Sequence, residues 1–117
     1  MNLVGVSPFD TMHAISIQIV RFTDAAHPGW VECVLRDASG RDWILTDKVP
    51  IFTDALLDAS SRYPQPGVVA CEMVREWTDE DGRSRCIIST ERPWGVAAIG
   101  GETQFEVFSD QIRRLTA

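Results

Sequence analysis

Period-two alternation recurs along this chain in short bursts separated by turn residues, and that pattern leaves few folds open. From His13 to Phe22, the isoleucines Ile15, Ile17 and Ile19 fall on one side, while Ser16, Gln18 and Val20 fall on the other. β-Branched residues at that spacing form a half-buried strand. Asp24 to Gly29 is a loop, marked by Pro28 and Gly29. Trp30 to Arg36 forms a second strand, with Val31, Cys33 and Leu35 on one face, and Asp42 to Lys48 a third, carrying Trp43 and Leu45. Between them Asp37-Ala-Ser-Gly40 reads as a hairpin loop. Asp suits the first position of a type I turn, and Gly40 supplies the left-handed residue that leads back into the ladder.

The same grammar returns later. Gly67 to Trp77 is a fourth strand, Asp79-Glu-Asp-Gly82 the turn, and Ser84 to Thr90 a fifth strand. An Arg follows the Gly in both hairpins. These shared letters are what any such hairpin needs, so they do not make an internal repeat. Pro50 ends the third strand. Thr53 or Asp54 then caps a short helix with Ala55, Leu56 and Leu57 on its apolar side. Ser60, Ser61, Pro64 and Pro66 keep it short. Gly100-Gly101 is a turn and Thr103 to Phe108 a sixth strand. Ser109 caps a last short helix, with Asp110 in its first turn, Arg113 and Arg114 near its end, and Ile112 and Leu115 packing back.

The expected fold is mainly β: a small antiparallel barrel of about six strands, OB-like or SH3-like, with one or two short helices. A helix between the third and fourth strands is the OB element order, and that likeness covers residues 13–90. With 117 residues the chain is long enough to bury a core without disulfides or metal. Residues 13–117 are read as a single β-barrel domain and residues 1–12 as an N-terminal arm. Leu3, Val4, Val6 and Phe9 make a poor solvated tail. The arm is therefore expected to lie on the domain, or to join two copies as a homodimer.

Charge narrows the partners. The net charge is −6, and ten of the eleven basic residues are Arg. Such a surface repels phosphate backbones at long range and attracts a basic protein. No apolar run approaches the roughly 20 residues that a membrane helix needs. The first twelve residues hold no basic residue, so they do not read as a signal peptide, and the expected location is the cytoplasm. The three cysteines, Cys33, Cys71 and Cys86, fall in strands without paired spacing. They read as buried small hydrophobes rather than a disulfide framework or a metal site with His13 or His27.

Chemistry-bearing residues are sparse. His13 and His27 lie at element ends beside Asp10 and Asp24. A His–Asp pair can orient a general base, so a small enzyme using His13 or His27 is one alternative. It lacks an accompanying nucleophile, metal motif or phosphate loop. Asp79-Glu-Asp-Gly82 lacks the distal ligand of a calcium loop and reads as a solvated hairpin tip. Trp30, Trp43, Trp77 and Trp94 can stack bases on an OB-like face, a second alternative, but packing is preferred at this net charge.

Glu91-Arg92-Pro93-Trp94-Gly95 is the least ordinary stretch. It reads as a rim corner in which Trp94 plugs the barrel and Arg92 pairs with a nearby carboxylate. The rival reading is a recognition surface, with Glu91, Arg92 and Trp94 as its binding residues. The stretches Gly29-Trp-Val-Glu-Cys-Val-Leu-Arg-Asp-Ala, Tyr63-Pro-Gln-Pro-Gly67 and Glu91-Arg-Pro-Trp-Gly95 resemble those of small bacterial proteins of no named family. The resemblance spans residues 29–110, implies a bacterial cytoplasmic origin, and carries no activity or site residues. The sequence thus points to a non-catalytic protein-interaction module, an accessory or immunity-like protein needing no cofactor.

Overall fold

The computed structural model describes residues 12–115, so residues 1–11 of the expected arm, and with them its dimer contact, lie outside the described residues. Seven strands follow one another: β1 (His13–Asp24), β2 (Trp30–Arg36), β3 (Asp42–Lys48), β4 (Gln65–Thr78), β5 (Ser84–Ser89), β6 (Gln104–Phe108) and β7 (Ile112–Arg114). They form one antiparallel sheet in the order β3-β2-β1-β4-β5-β6, with β7 added to β1. Mainly β structure with antiparallel pairing is what the alternation implied.

Two long strands curl the sheet. β1 pairs β4 through residues 13–19 and β2 through residues 18–24, with irregularities between Ile19 and Arg21 and between Phe22 and Asp24. β4 gives residues 65–71 to β1 and residues 72–78 to β5, with a bulge between Met73 and Arg75. A strand that changes partners across a bulge bends, and the bent sheet folds over its own apolar face. The result is a half-barrel. Its core holds the inward side chains Ile15, Ile17, Ile19, Val31, Cys33, Leu35, Leu45, Val69, Ile88, Phe105 and Val107. Closure is partial. Ala98 forms an isolated bridge with Leu45 of β3, and the Ile99 N–H donates to the Ile44 carbonyl at 3.1 Å. The Ala38 N–H also reaches the Glu106 carbonyl of β6 at 2.8 Å.

The two hairpins are built alike, down to the side chain. The Asp37 Oδ1 accepts the Ser39 and Arg41 N–H groups at 2.9 and 3.0 Å, and the Asp79 Oδ1 accepts those of Asp81 and Arg83 at 2.9 and 3.0 Å. Six residues on, Trp43 Nε1 donates to Asp37 Oδ2 and Arg85 Nε donates to Asp79 Oδ2, at 2.9 and 2.7 Å. Gly40 and Gly82 take the positive φ that closes each turn, 86° and 82°. Partial burial pushes the Asp37 carboxyl upward, but hydrogen bonds from Ser39, Trp43 and the turn amides outweigh it, and its pKa is lowered. The Arg85 hydrogen bond leads in lowering that of Asp79. A carboxyl depressed in the folded state stabilises above its unfolded pKa and loses that contribution as pH falls through the folded value. Thermal stability should therefore decline as pH drops below about 4, and Asp37→Asn should flatten that decline. Asp37→Ala should cost about 1 kcal/mol at neutral pH, discounted for solvent screening. An unchanged melting profile from pH 7 to 2.5 in wild type and variant alike would contradict this.

Two helical expectations need correction. The helix capped by Thr53 or Asp54 is absent; a single turn, α1 (Val49–Phe52), comes before it instead. Pro50 starts this turn rather than only ending the strand, because its fixed φ suits a first helical turn. Thr53 closes the turn by donating its N–H to the Val49 carbonyl at 3.2 Å. Its hydroxyl accepts the Ala55 N–H at 3.1 Å, and Leu56 is 99 % exposed. The terminal helix is also replaced. Ser109–Gln111 form one 3-10 turn, after which β7 pairs with His13 to Ile15. Ile112 and Leu115 have helical spacing, but β1 offers an open edge there, and ladder hydrogen bonds outweigh a one-turn amphipathic pattern.

Candidate functional site

The segment between β5 and β6 is anchored at both ends and bulges between them. Thr90 is fully buried. Its hydroxyl donates to the Val96 carbonyl at 2.6 Å, and its backbone N–H donates to the Thr103 carbonyl at 2.8 Å. The Val96 N–H returns to the Thr90 carbonyl at 3.1 Å. Val96 and Ala98 then enter the core. Residues 91–95, held by this clasp, are all exposed. Trp94 does not plug the half-barrel; it stands 58 % exposed, and Val96 fills the interior two residues later. The reason is geometric. The seven residues from Thr90 to its acceptor Val96 close a tight loop, which turns the indole of Trp94 outward.

Arg92 does find a carboxylate. Its Nε donates to Glu72 Oε1 of β4 at 3.1 Å across exposed surface. Glu91 is exposed, and its backbone N–H donates to Ser89 Oγ at 3.2 Å. Arg92 and Trp94 are thus presented together on a backbone whose ends are fixed by buried hydrogen bonds. Glu72 and Thr90 were missed as members of this site. Glu72 lies twenty residues upstream in an ordinary strand, and Thr90 reads as a plain strand end. Only the tertiary pairing of β4 with β5 joins them.

The other candidates disperse. His13 opens β1 and His27 lies beyond its far end, so the two do not meet. His27 shares an open pocket of about 490 Å³ with Asp58 and Ser60. There the Ser60 hydroxyl donates directly to Asp58 Oδ1 at 2.7 Å, so the carboxylate holds the serine rather than an imidazole. A hydrolytic triad needs the histidine between them. Asp24, the neighbour of His27, accepts the Ala26 N–H at 2.8 Å. Among the described residues no group of three or more His, Cys, Asp or Glu is placed to hold a metal ion. No helix among them is long and apolar enough to cross a membrane.

The cysteines are free and buried. Burial, then Glu32 and Asp47, push the Cys33 thiol up to about 12, and burial, then Cys86 and Glu72, push Cys71 up to about 12. Burial also raises Cys86, against a hydrogen bond with Ser109. Thiolate is the reactive form, so all three should resist a disulfide reagent at pH 8 in the native protein. Cys86, beside the Ser109 turn, should be the first to react on slow opening. One rapid equivalent of labelling would contradict this.

Three of the four tryptophans already carry a cation on the ring. Arg41 lies 3.9 Å from the Trp43 centroid, Arg75 4.5 Å from that of Trp77, and Lys48 5.6 Å from that of Trp30. Trp94 is the most exposed aromatic side chain among the described residues. Comparison with protein-family models, with curated proteins and with solved structures finds no match to this chain.

Proposed function

We propose that this protein acts by binding another protein, non-catalytically, through the Glu91–Gly95 corner. The observation that carries this reading is Trp94, 58 % exposed on a loop clasped by Thr90, Val96 and Thr103. A large aromatic beside an Arg, held in place before binding, has the composition and preorganisation of an interface anchor. The net charge of −6 favours a basic partner and steers its approach. Base stacking is less well supported, because three of the indole rings already hold Lys or Arg. Catalysis lacks an assembled group: His13 and His27 lie at opposite ends of β1, and Ser60 is engaged by Asp58. The role proposed with it is an accessory or immunity-like one in a bacterial cytoplasm.

The test is affinity capture on the full chain, followed by association kinetics with the captured partner across a salt series. The on-rate should fall by about an order of magnitude from 50 to 300 mM salt, both round values. Association indifferent to salt would remove the electrostatic component. Turnover of a small molecule that is lost in His13→Ala or His27→Ala would overturn the proposal.

A further inference from the structure

Arg21, Arg36, Arg83 and Arg85 each spend a terminal guanidinium nitrogen on a carboxylate. Arg21 Nη2 lies 3.2 Å from Glu32 Oε1, Arg36 Nη2 3.2 Å from Asp42 Oδ2, Arg83 Nη2 3.3 Å from Asp110 Oδ2 and Arg85 Nη1 3.0 Å from Glu106 Oε2. Arg92 is paired differently. Its one bond, to Glu72 Oε1, leaves from Nε at the stem end of the guanidinium. The two Nη groups have no partner among the described residues, and the side chain is 78 % exposed. Arg85 shows the completed arrangement. Its Nε donates to Asp79 Oδ2 at 2.7 Å while its Nη1 donates to Glu106, so one guanidinium holds two carboxylates on separate donors. Arg92 holds the first carboxylate and lacks the second. Two residues on, the Trp94 ring carries no cation, unlike those of Trp30, Trp43 and Trp77, so Arg92 is not stacked on it. An open cationic fork and an open apolar ring therefore stand on the same clasped loop.

We infer that the corner recognises an acidic side chain of the partner protein with an apolar residue beside it. The carboxylate takes the two Nη groups of Arg92, and the apolar residue covers the indole of Trp94. This rests on the reading of the corner as a protein contact and adds what the partner must present there. A planar fork of N–H donors matches the two oxygens of a carboxylate. The bond to Glu72 holds that fork in one orientation before the partner arrives, which lowers the ordering cost of binding. The net charge of −6 does not oppose this. It steers the approach of a protein that is basic as a whole, whereas a single acidic side chain acts only at contact. A polyanion such as a nucleic acid would meet repulsion throughout its approach.

The inference is tested on the full chain in two arms. In the first, acetyl-Leu-Glu-Leu-amide and acetyl-Leu-Gln-Leu-amide are titrated to about 10 mM, a range suited to ligands so small. Heteronuclear magnetic resonance follows the Arg92 Nε–H and the Trp94 Nε1–H. The Glu peptide should shift both signals and bind at least about fivefold more tightly than the Gln peptide. Arg92→Gln should abolish that difference. Equal binding of the two peptides, or no shift of either signal with either peptide, would overturn the inference. In the second arm the captured partner is titrated against wild type, Arg92→Ala, Arg92→Lys and Trp94→Ala, each melted to confirm an equal fold. Lys keeps the charge but not the fork, so Arg92→Lys should bind within about twofold of Arg92→Ala. If Arg92→Lys binds as tightly as wild type while Trp94→Ala loses affinity, the corner remains the contact and the carboxylate inference is overturned. If Trp94→Ala loses nothing, the reading of the corner as a protein contact falls, and the inference with it.

Discussion

Gly67→Val should lower the stability of this protein by about 3 kcal/mol, the upper end of ordinary overpacking penalties. A Cβ at Gly67 would sit 2.9 Å from Ile19 Cδ1, 2.9 Å from the Phe52 carbonyl oxygen and 3.0 Å from Ile17 Cδ1. The isoleucine methyls can swing aside at some cost in rotamer strain. The carbonyl cannot, because it belongs to α1, the turn that packs Val49 and Phe52 into the core. The absence of a side chain on β4 is thus what lets the backbone of α1 lie close to the sheet. At roughly 4 °C per kcal/mol for a chain of this length, the melting temperature should fall by about 12 °C. Gly100→Ala is the control. There the nearest atoms belong to the Glu102 carboxylate, a mobile side-chain end on exposed surface, so the change should be near neutral. A Gly67→Val protein that melts within about 2 °C of wild type would mean that α1 does not pack on β4 as described.

The second large effect separates binding from folding at a single loop. Trp94→Ala should weaken partner binding by about 2–4 kcal/mol, or roughly 30- to 1,000-fold, as truncation of a central aromatic anchor does. It should leave the melting temperature nearly unchanged, since the indole projects into solvent and the clasp below it is intact. Val96→Ala should behave in the opposite way. Val96 is fully buried, so its truncation should cost about 2 kcal/mol of stability, or about 8 °C, with little direct effect on binding. Two residues apart, one side chain faces a partner and the other faces the core. Arg92→Ala should fall between them in binding, with no loss of stability, because its pairing with Glu72 is an exposed ion pair.

The residues that were readable from the sequence are those whose behaviour is set locally. Ile15, Ile17 and Ile19 had to point one way once β1 was extended, and all three are core residues. Asp37 and Asp79 announced their turns because a short carboxylate can satisfy its own turn amides, and both do. What was not readable depends on which strand lies beside which. The open edge of β1 at His13 to Ile15 draws Ile112–Arg114 into a strand, although their spacing also suits a helix. The α-helical turn starts at Val49 because Pro50 follows directly, whereas Thr53 and Asp54 carry cap chemistry with no helix after them. Trp94 looked like a plug because large aromatics usually end in cores. Its direction is set by the Thr90–Val96 clasp, and the hydroxyl of Thr90 gives no sign in sequence that a carbonyl six residues on will accept it.

The most direct measurement is a binding titration of the captured partner against three full-length proteins: wild type, Trp94→Ala and Arg92→Ala. Each is melted in the same buffer to confirm an equal fold. If the corner is the contact, Trp94→Ala loses at least about 30-fold in affinity. Arg92→Ala then loses less, and all three proteins melt together. Equal affinity for all three, with equal melting temperatures, would show that the partner is held elsewhere and that the corner is only a turn in the wall of the half-barrel.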